Sequence, residues 1–364
     1  MRVLMTADTV GGVWTSALEL TRGLERHGVH VVLAAMGAPL RDDQRAEAEA
    51  LQNLTLHARP YRLEWMERPW RDVEAGSEWL LRLERESAPD VIHLNEFTRG
   101  SLPWRAPTVV VGHSCVLSWW QAVRGEPAPV RWARYAGAVR TGIAAADLVV
   151  APTRWMAQQL QTHYGPLHRV SVIPNGRDPT GFDPAPKERF IFAAGRAGDE
   201  AKNLAALGRA ARGLPWSVFI AGNTEHPDGG RTELGAAHAL GRLTPRAVAR
   251  WYASAAIYAL PARYEPFGLS ALEAALSGCA LVLGDIPSLR EVWEDTAVFV
   301  PPDDELALRD TLLELIRDER RRARIAAAAA RRAFRFNASR MARRYARLYT
   351  QLVGRRTPVM AAGD

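Results

Sequence analysis

Cysteine is nearly absent. The 364 residues include only Cys115 and Cys279, one in each half, so a disulfide framework is excluded and a reducing, cytoplasmic setting is expected. No Cys/His spacing resembles a zinc site, and no metal is expected. Lysine is just as scarce: of 47 basic residues only Lys187 and Lys202 are lysines. Wherever arginine would serve, this chain uses arginine, so a surviving lysine stands out. No apolar run approaches the ~18–20 residues of a membrane span. The opening MRVLMTADTVGG lacks a signal peptide's long apolar stretch and cleavage site, and reads as a strand entering a glycine turn. The dinucleotide fingerprint G-x-G-x-x-G is missing there. No short-period repeat suggests a solenoid. What is present, 48% hydrophobic and 24% charged residues, is the make-up of a soluble globular protein. At ~100–200 residues per domain the length suggests two or three domains.

Charge is unevenly placed. The formal net charge is +7, yet residues 317–356 alone hold fourteen arginines against Asp318 and Glu319, which leaves the rest of the chain at −5. This region reads as two helices within Arg320–Val353. The second, Ser339–Leu352, puts Met341, Tyr345, Leu348 and Tyr349 on one face. Such helices pack across the fold, or attract an anionic membrane surface. No motif for nucleic acid accompanies the charge, and no nucleic-acid partner is expected.

Short Val/Ile/Leu-rich runs recur at Arg2–Ala7, Val29–Ala35, Asp90–Leu94, Thr108–Gly112, Asp147–Ala151 and Val170–Ile173. They do not alternate, as strands buried on both faces should not. Amphipathic stretches such as Trp14–His27 and Asp72–Ser87 lie between them. After the proline- and glycine-rich Pro174–Pro186 the pattern restarts at Arg189–Ala194, Trp216–Ala221, Ala256–Leu260, Ala280–Gly284 and Ala297–Val300. The order predicts an α/β protein of two doubly wound domains: residues 1–173, a hinge at 174–186, residues 187–335, and a last segment, 336–364, returning to the first domain. Ligands of such sheets sit beyond the carboxyl ends of the strands, so two of them facing each other are expected to form a cleft.

The strongest motif is ARYEPFGLSALEAALSG at Ala262–Gly278. Glu265 precedes a helix that Gly268 opens, and Glu273 lies inside it. Backbone N–H groups at that start, around Phe267, Gly268 and Leu269, suit an anion, and two carboxylates accept hydrogen bonds from sugar and ribose hydroxyls. A second motif, AGRAGDEAKNL, places Arg196 and Lys202 on one loop after a strand, where two cations hold a diphosphate. The turn TVGGVW offers Gly11 and Gly12 for close backbone approach. His113 follows the strand Thr108–Gly112, and Asn95 and Glu96 follow Asp90–Leu94. Tryptophans crowd residues 65–132, with Trp119 and Trp120 nearest His113. Aromatic faces stack on sugar rings, although most tryptophans fill cores.

The E-x7-E stretch resembles that of retaining glycosyltransferases with the two-Rossmann GT-B fold, in particular family 4, and the other motifs follow in that family's order. The resemblance implies transfer of a sugar from a nucleoside diphosphate donor to an acceptor hydroxyl of a glycan, lipid or small molecule, with no cofactor. It implies that Glu265 contacts the donor sugar, Glu273 the ribose, and Arg196 and Lys202 the leaving diphosphate. The Gly11–Gly12 loop would lie under the donor phosphates, and His113 would contact the donor sugar. Glu96, Trp119 and Trp120 are the acceptor candidates, and VIPNGR at Val172–Arg177 resembles the family's junction segment, taken as architectural. Position 262 is alanine where the family often has serine, and GDIPSLRE at Gly284–Glu291 lacks the family's frequent paired glycines. The rival expectations are a nucleotide-sugar epimerase of the same fold and a non-catalytic nucleotide-sugar or membrane-docking protein.

Overall fold

The computed structural model describes residues 1–224 and 232–356. The chain forms two compact units. One comprises Met1–Ser118, Pro127–Gly176 and the segment from Ala338 on; the other comprises Trp119–Glu126 and Arg177–Asn337.

The first unit is built on seven parallel strands: β1 (Arg2–Asp8), β2 (His30–Met36), β3 (Leu54–Ala58), β4 (Val91–Leu94), β5 (Thr108–Val111), β6 (Leu148–Ala151) and β7 (Val170–Val172), in the order β3-β2-β1-β4-β5-β6-β7. Both faces are covered. Val3, Met5 and Ala7 pack toward the helices Gly12–Leu24 and Ala338–Arg356, while Leu4 packs toward Trp70–Ser87 and Arg154–Tyr164. Two-sided burial explains why β1 reads as one apolar run. The C-terminal helix buries Met341, Tyr345, Leu348 and Tyr349 in this unit. Gly23 lets it come close: a Cβ there would stand 2.6 Å from that of Ala342.

The second unit holds six parallel strands: β8 (Glu188–Ala194), β9 (Ser217–Ala221), β10 (His238–Gly241), β11 (Ala255–Leu260), β12 (Ala280–Gly284) and β13 (Val298–Val300), in the order β10-β9-β8-β11-β12-β13. Two of its helices, Pro245–Ser254 and Glu305–Arg317, start at side-chain caps: Thr244 accepts from Ala247 N at 3.3 Å, and Asp304 from Ala307 N at 2.9 Å. Several arginines of the basic region serve the fold. Arg332 donates to Val292 O at 2.8 Å and pairs with Glu294, and Arg322 donates to Leu315 O and lies over Trp216.

Two strands, β3 and β10, escape the sequence reading. Both are outer strands of their sheets, and their sequences, LTLHA and HALG, are only partly buried. An edge strand covered on few sides carries no continuous apolar signal. No described helix is long and apolar enough to cross a membrane.

In each sheet the strand order reverses once, between β1 and β4 and between β8 and β11. These are the switch points at which open α/β sheets bind ligands, beyond the carboxyl ends of the strands. Gly11 and Gly12 follow β1, Asn95 and Glu96 follow β4, Arg196 and Lys202 follow β8, and Glu265 follows β11.

Candidate active site

In the second unit the loops after β8 and β11 are joined by an ion pair. Lys202 Nζ pairs with Glu265 Oε2. The other oxygen, Oε1, accepts from Gly268 N at 3.0 Å and Phe267 N at 3.5 Å. Glu265 thus occupies the start of the helix Leu269–Leu276, and part of the anion site expected there is taken by the protein's own carboxylate. Gly268 allows this turn because its φ is +89°, a region that residues with a Cβ disfavour. Ser288, from the Gly284–Glu291 segment that departs from the family pattern, donates to Glu265 O at 2.7 Å. Ala262 packs tightly: its carbonyl oxygen would lie 2.2 Å from a Cβ on Gly284.

Arg196 pairs with Asp199 at 2.9 Å, with about half of its side chain exposed. Asp199 also accepts from Ala201 N at 3.1 Å and from Trp119 Nε1 at 3.4 Å. Burial pushes the Asp199 carboxyl up, but the charges of Arg196 and Lys202 outweigh it and hold the group below its ordinary value. Asn203, at φ +54°, ties the same loop to Pro261 O and Pro302 O. Glu273 is paired with Arg177 at 2.9 Å. Arg177 belongs to the VIPNGR segment read as architectural; its ion pair with Glu273 lies outside that reading. Trp119 and Trp120 stand 5.8 Å apart by ring centroid and belong with this second unit.

In the first unit Asp8 Oδ1 accepts from Val10 N at 3.0 Å and Gly11 N at 2.9 Å, which shapes the turn into the helix Gly12–Leu24. His113 is half-buried and hydrogen-bonded through Nε2 to Asn95 Oδ1 at 2.8 Å. Asn95 Nδ2 donates to Thr6 O at 2.7 Å. Burial lowers the His113 pKa to about 4, so the ring is neutral near pH 7.

Glu96 points into a buried charge cluster. It pairs with Arg99, which is 1% exposed and also donates to Val73 O at 3.3 Å. Gly76 makes room, since a Cβ there would stand 2.6 Å from Arg99 Nη2. Glu64 is buried nearby and accepts from Thr98 N at 2.9 Å. Burial, opposed by Arg99 and reinforced by Glu64, pushes the Glu96 carboxyl up to about 7. Its Oε1 is buried without a hydrogen-bond partner among the described residues. Glu64 gives no sequence signal, because its contacts with Phe97 and Thr98 join segments more than 30 residues apart.

Among the described residues no three His, Cys, Asp or Glu side chains converge to hold a metal ion. The geometry therefore offers paired cations and carboxylates at the β8/β11 switch point, and a neutral imidazole with an amide near the β1/β4 one.

Comparison with known proteins agrees. The model of Glycosyltransferase Family 4 matches residues 10–180, and that of Glycosyl transferases group 1 matches residues 178–332. A D-inositol 3-phosphate glycosyltransferase of Xylanimonas cellulosilytica is 29% identical over 95% of this chain and 93% of its own length. Its counterpart in Thermobispora bispora is 30% identical over 76% and 74%. A phosphatidyl-myo-inositol mannosyltransferase of Mycolicibacterium smegmatis is 26% identical over 98% and 94%. Among solved structures, sucrose-phosphate synthase of Thermosynechococcus elongatus superposes with a TM-score of 0.80 at 17% identity, covering 98% of this chain and 100% of that one. The Anabaena protein HepE in complex with UDP-glucose gives 0.75 at 16%, covering 96% and 100%. These solved structures share the GT-B fold.

Proposed function

The chain belongs to the glycosyltransferases of family 4 and group 1, so it is a transferase acting on sugars, and from that premise we propose a specific reaction. A glycosyl group moves from a nucleoside diphosphate sugar to a hydroxyl of a phosphorylated inositol, with retention at the anomeric carbon and without a metal ion. The acceptor class is supported by the relatives, whose names all carry an inositol phosphate or its phosphatidyl ester. The donor class is supported by the UDP-glucose held in HepE.

The observation that carries the reading is the Lys202–Glu265 pair beside Arg196 at the β8/β11 switch point. An ammonium has three donors, and Glu265 takes one of Lys202's. The remaining two, with the half-exposed Arg196, meet the negative charge that builds on the diphosphate as the bond to the anomeric carbon breaks. Glu265 and Glu273 keep lone pairs for sugar and ribose hydroxyls. The acceptor oxygen bonds to the anomeric carbon on the face the diphosphate leaves, and its proton passes to a diphosphate oxygen. In the first unit, neutral His113 is the group that accepts a hydrogen bond from a sugar hydroxyl, whereas the Glu96 carboxylate is turned into the buried cluster with Arg99. Peripheral contact with an anionic membrane belongs to the same proposal, through the exposed Arg320, Arg324, Arg331 and Arg335; a cytoplasmic location fits it.

The test is a panel of UDP-, GDP- and ADP-sugars, each with and without D-inositol 3-phosphate or phosphatidylinositol vesicles. Nucleoside diphosphate release is followed, and the product's anomeric configuration is read by NMR. Acceptor-dependent release with retained configuration, unaffected by chelator, is expected. Inversion, dependence on added metal, or an isomerised nucleotide sugar formed without acceptor overturns the reading.

A further inference from the structure

Behind His113 lies a run of hydrogen bonds that the reaction as proposed does not use. Asn95 Oδ1 faces two rings, His113 Nε2 at 2.8 Å and His93 Nε2 at 3.2 Å. The opposite nitrogen of His93, Nδ1, meets the hydroxyl of Tyr349 at 2.6 Å. His93 and Tyr349 are 1% and 0% exposed. Tyr349 sits on the C-terminal helix Ala338–Arg356, 256 positions from His93.

The proton positions follow from donor and acceptor chemistry. Asn95 Nδ2 is committed to the Thr6 carbonyl at 2.7 Å, and Asn95 N to Thr6 Oγ1 at 2.9 Å. A reversed amide would set two oxygens against each other at Thr6, so Oδ1 must face the rings. An amide oxygen only accepts. Both histidines therefore carry their proton on Nε2. Burial keeps both rings neutral, with the His93 pKa lowered to about 3 and that of His113 to about 4. Each Nδ1 is then a bare lone pair. That of His93 is filled by the Tyr349 proton. That of His113 has no hydrogen-bond partner among the described residues.

We propose that Tyr349, His93 and Asn95 are positioning residues that lock His113 in the Nε2–H tautomer, so that its Nδ1 is a permanent acceptor for a hydroxyl of the bound sugar. The C-terminal helix thereby takes part in the reaction centre of the first unit and not only in its packing. The sugar hydroxyl as the group recognised rests on the transferase reading; the lock itself does not. A tautomer held by a remote hydrogen bond is a familiar device for histidine ligands, and here every link is buried or half-buried.

The charged and titratable groups around this run are few. Tyr345 lies beside the His93 ring at 5.3 Å on the same helix as Tyr349. Glu96, adjacent to Asn95, is turned toward Arg99, with Glu64 and Asp8 also acting on it.

The test uses the full chain labelled with nitrogen-15 histidine, read by long-range proton–nitrogen correlation between pH 5 and 9. His93 and His113 should both appear as neutral Nε2–H tautomers throughout. An Nδ1–H form, a tautomer mixture or an imidazolium of His113 in that range overturns the proposal, whether or not any donor is turned over. Three variants then separate positioning from packing. Asn95→Ala should give His113 both tautomers and lower kcat by roughly 10–100-fold at unchanged donor KM; a single tautomer with full kcat overturns the lock. Asn95→Asp, which keeps the shape, should raise the His113 pKa into the neutral range. The imidazolium has no acceptor at Nδ1, so activity should be kept above the new pKa and lost below it, by about tenfold between pH 8 and 6, while the parent protein shows no such limb. Absence of that limb sinks the proposed role of Nδ1. Tyr349→Phe should move the His93 resonances and lower kcat about threefold; unchanged His93 resonances and kcat remove Tyr349 from the device. If the parent protein turns over no donor at all, the transferase reading fails, and the tautomers still decide the lock.

Discussion

The carboxyl ends of the two sheets handle polarity in opposite ways. In the second unit, charges are met in pairs at the edge of solvent: Lys202 with Glu265, Arg196 with Asp199, Arg177 with Glu273. In the first unit the groups beside the switch point are drawn inside. His93 and His113 are kept neutral, and Glu96 and Arg99 form a pair that is almost wholly buried. Partly solvated pairs exchange partners cheaply, because water screens what each ion loses. Buried networks do not, since an orphaned ion inside carries its full desolvation cost. The partly solvated pairs of the second unit suit an anionic ligand that must displace counter-ions and leave again. The buried network of the first unit suits a fixed template that recognises hydroxyl groups.

The sharpest way to break this contrast is to remove Arg99. Arg99→Leu leaves Glu96 and Glu64 buried without their cation. A loss of about 3–5 kcal/mol in unfolding free energy is expected, measured by denaturant titration. A loss below about 1 kcal/mol would mean that water reaches the cluster, and the two sheet ends would then be alike.

Lys202→Ala comes next. Turnover should fall by roughly 10²-fold or more, as it does when an oxyanion-type donor is lost, while stability changes by less than about 1 kcal/mol because the pair is partly solvated. Nucleoside diphosphate release and thermal melting report the two sides. Unchanged turnover in folded protein would remove Lys202 from the mechanism.

How much of this was readable in the sequence depends on where the partner lies. Glu265, Gly268, Arg196 and Lys202 are legible because each sits on a loop that follows an apolar run and precedes a helix, with proline or glycine marking the place. Asp199 lies three residues after Arg196 and still escapes notice, since a short acidic loop residue looks the same whether or not it is paired. Arg177 with Glu273, and Tyr349 with His93, join positions about 100 and 256 apart. Such pairs exist only once the strand order is fixed, and local spacing holds no trace of them. The outer strands β3 and β10 fail for a related reason, being too little buried to carry an apolar signature.

Acid should sharpen the contrast further. Burial pushes the folded-state pKa of Glu96 up to about 7, above the ordinary glutamate value of 4.5. Between those values the folded chain binds more protons than the unfolded one, so stability falls as pH rises through the window. Glu64, also raised by burial, adds the same sign. Asp199 is lowered and works the other way, its contribution being present above the ordinary carboxylate range and lost as pH falls through its folded value. Moving from pH 7 to 5 should therefore stabilise the first unit by roughly 1–3 kcal/mol, and Glu96→Gln should flatten most of that slope. Hydrogen exchange of β4 and β5 amides, compared with β8 and β11, reads the units separately; equal slopes in both would remove the difference in charge burial.

The two lysines give the smallest and most specific comparison. Lys187 Nζ donates to Tyr252 O, Ala253 O and Ser277 O at 3.2, 2.7 and 2.5 Å. It therefore ties together carbonyls at the carboxyl ends of the helices Pro245–Ser254 and Leu269–Leu276, where a cation also meets the negative end of the helix dipole. All three of its donors are used inside the fold, whereas Lys202 gives one to Glu265. A three-fold donor explains why arginine does not stand at 187: a planar fork does not converge on three carbonyls around one point. Lys187→Met should cost about 1–2 kcal/mol of stability and leave turnover within twofold. Lys187→Arg should recover little of that loss, since charge alone is not what the site uses. Full recovery by arginine would show that the dipole and not the three-way geometry selects lysine there, and scarcity of lysine would lose its value as a guide to Lys202.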